Sequence, residues 1–464
     1  MFIFASIYDA NIGGSHHCAS ANVSGDATGG LPRQPQFGYH QPLQPPETPM
    51  DDMIGLSHAS LLDRLAEVAV RVGLGGLNPG QQLVMTAPLE AVALARRITE
   101  HAYRAGASLV TTFFGDDAAS LLRYRHAPDA GFDAAAGWLY EGMAAAFRDG
   151  AARLAILGDD PNLLAGQDPE KVARANRARS IAYRPALELI TNSAINWTIV
   201  ACATPAWARA VFPVLPEAEA VARLWQAIFA ASRVTTDDPI AGWAAHNATL
   251  MTRRNRLNAK RYAALHYRGP GTDLRVGLAD EHRWMGGLTT AANGITGNPN
   301  IPTEEVFTTP HSRRTDGTVA ATLPLAHQGT LIEGIEVRFE AGAIVQARAS
   351  SGQAVLERML ATDDGARRLG EVALVPAASP IAQTGLLFLN TLFDENAVSH
   401  IALGQSYSKC FADGGAAGAE VLRARGANTS LIHVDWMIGS PQVDVNGISG
   451  DGTAEPLMRA GAWV

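Results

Sequence analysis

The residues best suited to chemistry lie near the carboxyl terminus, in the run His433-Val434-Asp435-Trp436. The apolar residues around them predict a β-strand, in which alternate side chains project from the same face. His433 and Asp435 would then point together, so that an imidazole nitrogen and a carboxylate oxygen can share one divalent cation. The pattern is weak by itself, because a histidine and an acid two residues apart on a strand more often form a surface pair.

Three more side chains able to bind a metal lie in segments whose composition predicts burial. His400 has apolar neighbours on both sides, and Glu371 and Glu305 each interrupt an apolar, strand-like run. A buried histidine is more often a core residue with satisfied hydrogen bonds, but a buried acid is costly unless it is paired or metal-bound. Because Glu304 and Glu305 are neighbours in a predicted strand, only one of them can face a shared cavity.

The motifs of several other enzyme classes are missing from the sequence or fit poorly. The glycine-rich run at 73–80 lacks the third glycine of a dinucleotide-binding loop and follows a predicted helix, so it indicates a helix end and a turn. There is no phosphate-binding GxxxxGK(S/T) loop, no HExxH zinc motif and no GxSxG nucleophile elbow. Cys202 lies in an apolar strand and is predicted to be an inert buried thiol.

The composition excludes further classes. The chain has 464 residues, of which 47% are apolar and 18% charged, and its net charge of −8 at pH 7 argues against a nucleic-acid-binding surface. No apolar run approaches the ~20 residues that a transmembrane helix needs, and the amino terminus lacks a positively charged signal region. With only three scattered cysteines as well, the sequence predicts a cytoplasmic protein that binds neither nucleic acid nor membrane.

The elements that must position the candidate ligands differ between the two halves of the chain. Over 50–262, short apolar strands such as 82–88 alternate with helices such as 90–106, which predicts βαβ units and a parallel sheet. After about residue 263, strand-like runs separated by glycine, proline and Asp-Gly turns dominate. We therefore predict an α/β amino-terminal domain with a parallel sheet over 50–262 and an α+β carboxyl-terminal catalytic domain over 263–464.

The first 49 residues differ from the rest of the chain. Residues 1–49 contain few charges and many prolines, and no helical or strand periodicity is present there. The segment is predicted to be a disordered tail or a non-native extension that precedes a true start at Met50 or Met53.

Four motifs together resemble one protein family, the aminopeptidase S / aminopeptidase T family of metal-dependent, leucyl-type aminopeptidases. The resemblance extends from about residue 55 to the carboxyl terminus, with similar order and spacing. The motifs are NIPTEEVFT (300–308), LGEVALVP (369–376), DENAVSHIALGQSY (394–407) and HVDWMIG (433–439).

The resemblance implies a centre of two divalent metal ions, and an all-nitrogen-and-oxygen ligand set does not discriminate among zinc, cobalt, manganese and magnesium. Glu371 would be the carboxylate that bridges the two ions. Tyr407 matches the active-site tyrosine of the family, and Glu395 matches a further acid that completes the site. The five ligands implied by the resemblance are Glu305, Glu371, His400, His433 and Asp435.

The function that the resemblance implies is hydrolysis of the amino-terminal residue from peptides by a metal-activated water, with a broad preference for apolar first residues. The family is dimeric, so the resemblance also implies a homodimer. A non-catalytic metal-binding scaffold of the same fold is the alternative. A metal-independent serine hydrolase is disfavoured because the sequence lacks a nucleophile elbow.

Overall fold

In the computed structural model, which describes residues 56–327, 329–414 and 417–464, four parallel strands form the first sheet. The sheet order is β2-β1-β3-β4. The two strands on one side of the sheet, β3 and β4, are buried along almost their whole length, as expected of parallel strands packed on both faces. The parallel sheet predicted for this half is therefore confirmed, whereas the prediction for residues 1–49 lies outside the described residues. The strand bounds are β1 Gln82–Pro88, β2 Leu109–Gly115, β3 Ala152–Leu157 and β4 Trp197–Ala201.

Among the described residues, one α-helix precedes the first of these strands, four lie between strands and three follow the last. Several begin at strong start signals: Asp168 and Asp238 each accept a backbone N–H hydrogen bond at a helix start, and a proline follows each of them in the first turn. The helix bounds are α1 His58–Val68, α2 Val92–Arg104, α3 Asp117–His126, α4 Gly137–Arg148, α5 Pro169–Thr191, α6 Pro205–Val211, α7 Glu217–Ala231 and α8 Pro239–Lys260.

The chain beyond residue 263 consists mainly of antiparallel strands, with three further helices. The helices are α9 Gln353–Leu360, α10 Thr391–Asp394 and α11 Ala419–Ala424. The strands are β5 Ala264–Gly269, β6 Thr272–Leu278, β7 Thr289–Thr290, β8 Thr296–Gly297, β9 Val306–Thr308, β10 Pro310–Ala320, β11 Leu325–His327, β12 Thr330–Ile332, β13 Glu336–Glu340, β14 Ala343–Arg348, β15 Leu369–Leu374, β16 His400–Gly404, β17 His433–Met437, β18 Asp444–Ile448, β19 Ala454–Arg459 and β20 Ala462–Trp463.

Two antiparallel sheets organise this half. The larger has eight strands in the order β14-β13-β10-β6-β5-β18-β19-β20. The smaller has the order β17-β16-β15-β9, and we call it the site sheet because it carries the candidate ligands. Every residue of β15, β16 and β17 is buried, so neither face of these three strands is open to water. The α+β character predicted for this half is confirmed.

Each of the two parts of the fold has its own large hydrophobic core. The first packs around the parallel sheet and its helices, and the second packs among the antiparallel strands. The first core also includes Ile301, Phe388 and Phe393 from the carboxyl-terminal half, and the indole N–H of Trp207 donates to the carbonyl of Phe388 at 2.5 Å. Side chains from beyond residue 263 thus contribute to the core around the parallel sheet, and the predicted domain boundary near 262 stays a prediction.

Among the described residues, no helix combines the length and the apolar character needed to cross a membrane.

Candidate metal centre

The strand register of the site sheet places the candidate ligands on one face. Glu371 on β15 and Asp435 on β17 both pair with Ala402 of the intervening β16. His433 lies two residues before Asp435, and His400 lies two residues before Ala402, so all four side chains share the same side of the sheet. The small side chain of Ala402 leaves room between the two acids that flank it.

Glu305 reaches the same space from the end of β9. The predicted strand at 304–310 is shorter in the structure and begins at Val306, so both glutamates lie just before it. Glu305 approaches His400, with 3.3 Å between Oε2 and Nε2. Glu304 turns the other way and pairs with Arg233 at 2.6 Å. Only one of the two neighbours faces the shared cavity, as the alternation of side chains predicts.

Glu395 joins the cluster from the residue that follows α10. Its carboxylate accepts a hydrogen bond from the Asn396 amide at 3.4 Å and lies with His400 and Asp435 in a group of potential ligand atoms within 4.8 Å of one another. Two further groups of this kind combine Glu371 with Glu305 and His400, or with His433 and Asp435. The six side chains therefore form one continuous buried cluster.

The cluster contains buried polar atoms without hydrogen-bond partners among the described residues. They are Oε2 of Glu305, both carboxylate oxygens of Glu371, Nε2 of His400 and Oδ1 of Asp435. A buried carboxylate oxygen without a donor is costly, and an oxygen-rich set completed by two imidazoles suits hard or borderline divalent cations. The donor set therefore fits the metal ions that the sequence predicts.

Both histidines direct the same nitrogen into the cluster. Nδ1 of His433 lies 2.7 Å from the carbonyl oxygen of Gln405, and Nδ1 of His400 lies 3.4 Å from that of Val398. Backbone carbonyls accept hydrogen bonds, so each ring keeps a proton on Nδ1, and the neutral ring that binds a metal presents its Nε2 lone pair. A carbonyl behind each ring fixes the tautomer that a metal ligand needs.

The pKa values of the cluster residues reflect several acids buried close together. Burial, followed by the charges of neighbouring acids, raises the pKa of Glu371 to about 7, and burial raises the pKa of Glu395 well above its usual range. Burial disfavours the charged form of His433, but the charges of Asp435 and Glu371 outweigh it and raise its pKa to about 10. The surrounding acids raise the pKa of His400 to about 9 against the same effect of burial. The pocket therefore favours positive charge.

Tyr407 lies at the edge of the cluster, in the loop after β16. Its hydroxyl is 2.8 Å from Nε2 of His433, and its ring contacts those of His433 and Phe307. Burial, with the charges of the surrounding acids, raises the pKa of the phenol well above its usual range. Tyr407 is therefore a neutral hydrogen-bond donor beside the candidate ligands.

A cleft opens beside the cluster, and Glu305 and Tyr407 form part of its wall. Its other walls come from both halves of the chain and are mainly apolar, with a few polar groups. These walls include Trp197, Met285, Pro299, Phe307, Ser193, Asn300, Thr303 and Lys409.

The sequence did not reveal the polar residues of this cleft. Lys409 lies two residues after Tyr407, which is the one local signal that could have indicated it. Ser193, Trp197 and Asn300 come from distant segments and belong to no motif, so only the folded chain brings them to the site.

Comparisons with known proteins identify the family to which this chain is similar. The family model described as thermophilic metalloprotease (M29) matches residues 58–463. Aminopeptidase T of Thermus thermophilus is 58% identical over 403 residues, which are 87% of this chain and 98% of the relative. Aminopeptidase AmpS of Bacillus subtilis is 39% identical over 407 residues, covering 88% of this chain and 99% of that protein. The solved structure of wild-type AmpT from Thermus thermophilus aligns with a TM-score of 0.84 at 57% identity, over 88% of this chain and 100% of that one.

Proposed function

The chain belongs to the M29 family of thermophilic metalloproteases, and from this membership we propose a two-metal mechanism for its aminopeptidase activity. The protein is a metal-dependent aminopeptidase that acts on peptides, because the family and its curated relatives are aminopeptidases. The number of ions, their ligands, the catalytic residues and the substrate preference are the proposed parts.

Glu371 is proposed as the ligand that two ions share. It is the one residue common to the group with Glu305 and His400 and the group with His433 and Asp435, and its Oε2 lies 3.2 Å from Nε2 of His433. Glu305 and His400 would complete one position, while His433 and Asp435 would complete the other. This sharing of Glu371 is the observation that carries the two-metal proposal.

Charge balance supports two ions and not one. Four acids converge with two histidines that present neutral nitrogen lone pairs: the acids are Glu305, Glu371, Glu395 and Asp435. When bound, two divalent cations would neutralise those four charges, activate a water and polarise the scissile carbonyl. We propose that Glu395, which is buried beside Asp435, holds the proton released from that water and returns it to the leaving amine.

Tyr407 is proposed to stabilise the transition state. Its neutral phenol donates a hydrogen bond where negative charge develops on the substrate carbonyl oxygen, close to the position of His433 Nε2. The free α-amino group of the peptide would bind at the metal centre as a further nitrogen ligand, which would explain why cleavage begins at that end. Trp197, Met285 and Phe307 give the cleft an apolar lining and support a preference for apolar first residues.

Metal removal and reconstitution test the proposal. Chelated protein should not hydrolyse leucyl-p-nitroanilide, and activity should return as zinc, cobalt or manganese fills two positions per chain, counted by mass spectrometry. Full activity in the presence of chelator would overturn the metal mechanism, and maximal activity with one ion per chain would overturn the two-metal assignment. Two bound ions without turnover of any peptide would favour the alternative of a non-catalytic scaffold.

The resemblance also supports a homodimer, and the few scattered cysteines support a reducing, cytoplasmic location, as parts of this proposal. Sedimentation equilibrium of the full chain, with and without metal, measures the first directly, and a monomer at micromolar concentration would rule it out.

A further inference from the structure

Lys409 is a cation in the wall of the cleft for which the proposed mechanism has no use. Its side chain is partly buried, and its ammonium group donates to the hydroxyl of Ser193 at 2.5 Å. No carboxylate within the described part of the chain forms an ion pair with it, although exposed Lys260 pairs with Glu455. A partly buried ammonium whose hydrogen bond within the described part of the chain goes to a neutral hydroxyl can still bind an anion.

The hydroxyl that holds Lys409 comes from a strained backbone position. Ser193 adopts a φ of +49°, in the left-handed region that non-glycine residues rarely occupy. Its N–H donates to the carbonyl of Ile190 and its own carbonyl accepts from Ala292, so both sides of the residue are fixed. Strain of this kind persists where the surrounding structure enforces it, and it often marks functional sites.

Two further polar atoms of the cleft residues have no partner among the described residues. They are the indole Nε1 of Trp197, a donor, and the amide Oδ1 of Asn300, an acceptor, and both residues are buried. Native structures leave few buried polar atoms unpaired, so two of them beside one cleft mark it as a candidate binding site. This observation is independent of the charge of Lys409.

Charges of opposite sign thus line the same cleft. Glu305, a member of the acidic cluster, and the positively charged Lys409 both lie in its wall. We propose that Lys409 binds a carboxylate carried by the residue that follows the scissile bond, so that the preferred substrates are dipeptides with a free carboxyl terminus. This proposal rests on the aminopeptidase function proposed above and adds to it the class of peptide.

Electrostatics favour the leaving residue over the first residue as the one that carries the carboxylate bound by Lys409. An acidic side chain on the first residue would enter the part of the cleft lined by Trp197, Met285 and Phe307, where burying a carboxylate is costly. A second residue in extended conformation carries its carboxylate roughly 7 Å from the peptide's amino group, because each residue spans at most ~3.6 Å. The carboxylate would then lie beyond this apolar lining, in the cleft whose wall includes Lys409.

The choice of lysine over arginine fits this role. Nearly all cations of the chain are arginine, and the lysines are Lys171, Lys260 and Lys409. Burial lowers the pKa of Lys409 to about 8, so that the side chain remains mostly charged at neutral pH. A compact ammonium can bind a single carboxylate in a narrow cleft, where a planar guanidinium needs more space.

Three substrates test the proposal with the metal-loaded full chain: leucylalanine, leucylalanine amide, and leucylaspartic acid α-amide. The first carries an α-carboxylate, the second none, and the third a side-chain carboxylate. We expect the wild-type protein to show a kcat/KM for leucylalanine about ten- to a hundredfold above that for its amide, mainly through KM. If the aspartyl amide is cleaved as well as leucylalanine, Lys409 also binds a side-chain carboxylate of the leaving residue. If it is cleaved as poorly as leucylalanine amide, Lys409 binds only the terminal α-carboxylate.

Variants then assign the preference to the lysine. Lys409→Met should remove the preference by lowering kcat/KM for leucylalanine to that for its amide, and Lys409→Arg should restore part of it. Lys260→Met, an exposed lysine that pairs with Glu455, is the matched control and should change neither rate.

The outcomes separate this inference from the proposed function. A wild-type protein that cleaves the free dipeptide and its amide equally well overturns the role of Lys409 but leaves the aminopeptidase proposal intact. The role is also overturned if Lys409→Met lowers kcat equally on all three substrates, because the lysine would then act at the scissile carbonyl. A metal-loaded protein that cleaves no peptide at all overturns both proposals.

Discussion

The two faces of the site sheet differ completely in chemistry although they belong to the same strands. One face carries acids and histidines with unpartnered polar atoms, and the other packs entirely into the second hydrophobic core. The apolar face includes Val372, Ile401, Leu403, Val434 and Trp436. Side chains alternate between the two faces along each strand, so neighbouring residues belong in turn to the candidate site and to the hydrophobic core.

This contrast explains how the protein tolerates a costly site. Buried like charges destabilise the folded state when no cation is present, and an unpaired buried polar group costs roughly 1–3 kcal/mol. The opposite face gains a comparable amount for each fully buried aliphatic side chain, about 1.5–3 kcal/mol. We infer that the apolar face holds the strands in register while the polar face remains unsatisfied until ligands bind.

The largest effect is expected from a substitution of Glu371, at the centre of the polar face. Glu371→Gln should reduce kcat/KM for leucyl-p-nitroanilide at least about a thousandfold, because a neutral amide cannot hold two cations as a carboxylate does. Metal content should fall below two ions per chain while the circular dichroism spectrum is unchanged. Glu141→Gln, at an exposed glutamate paired with Arg148, is the control. Retention of more than a tenth of the activity with both ions bound would contradict the bridging role.

The next largest effect concerns Tyr407, whose hydroxyl meets the polar face from a loop. Tyr407→Phe should lower kcat about a hundredfold with little change in KM, because the lost hydrogen bond forms mainly in the transition state. The ring contacts with Phe307 and His433 remain, so the melting temperature should hardly change. A near-normal kcat, or a loss explained by missing metal, would make the phenol structural.

A substitution on the apolar face should show the opposite pattern. Ile401 lies between His400 and Ala402 but faces the second core, where it is fully buried. Ile401→Ala should reduce the free energy of unfolding by about 2–5 kcal/mol, as measured by denaturant titration. The activity per folded molecule should stay within about twofold of the wild type. A loss of metal from the folded variant would show that the two faces are coupled more tightly than this contrast assumes.

The sequence alone was sufficient for the parts of the fold that depend on local patterns. Alternation predicted the strands around Glu371 and Asp435 and predicted that Glu304 and Glu305 point apart, and helix–strand alternation predicted the parallel sheet. The helix Asp117–His126 went unpredicted, because it has no buried residue and hence no apolar stripe.

Long-range pairing explains the remaining differences. The strand Asp444–Ile448 is rich in polar residues and glycine, and it becomes part of the large sheet by pairing with Ala264–Gly269, far away in the sequence. The contact between Ser193 and Lys409 joins residues 216 positions apart. No local pattern encodes such a contact, so the polar groups of the cleft could be found only in the folded chain.

The smallest expected effect is a pH dependence that belongs to the polar face of the metal-free protein. Burial raises the pKa of Glu371 from 4.5 to about 7, so ionising it costs stability as the pH rises through that interval. The raised pKa of His433 adds stability that is complete below 6.5 and is lost as the pH rises toward about 10. Both effects have the same sign, so the chelated protein should melt a few degrees lower at pH 9 than at pH 5.

Metal binding should reverse this trend, which makes the measurement specific to the cluster. Two bound cations need the ligands deprotonated, so affinity and the resulting stabilisation increase with pH. In metal-free Glu371→Gln the carboxyl is absent, and the decrease in melting temperature between pH 5 and 9 should become smaller. Ile401→Ala should melt lower at every pH with the wild-type slope, because its face of the sheet carries no titrating group. If Glu371→Gln keeps the full slope, the pH dependence arises elsewhere, and the unpartnered acids are not the source of the strain on this sheet.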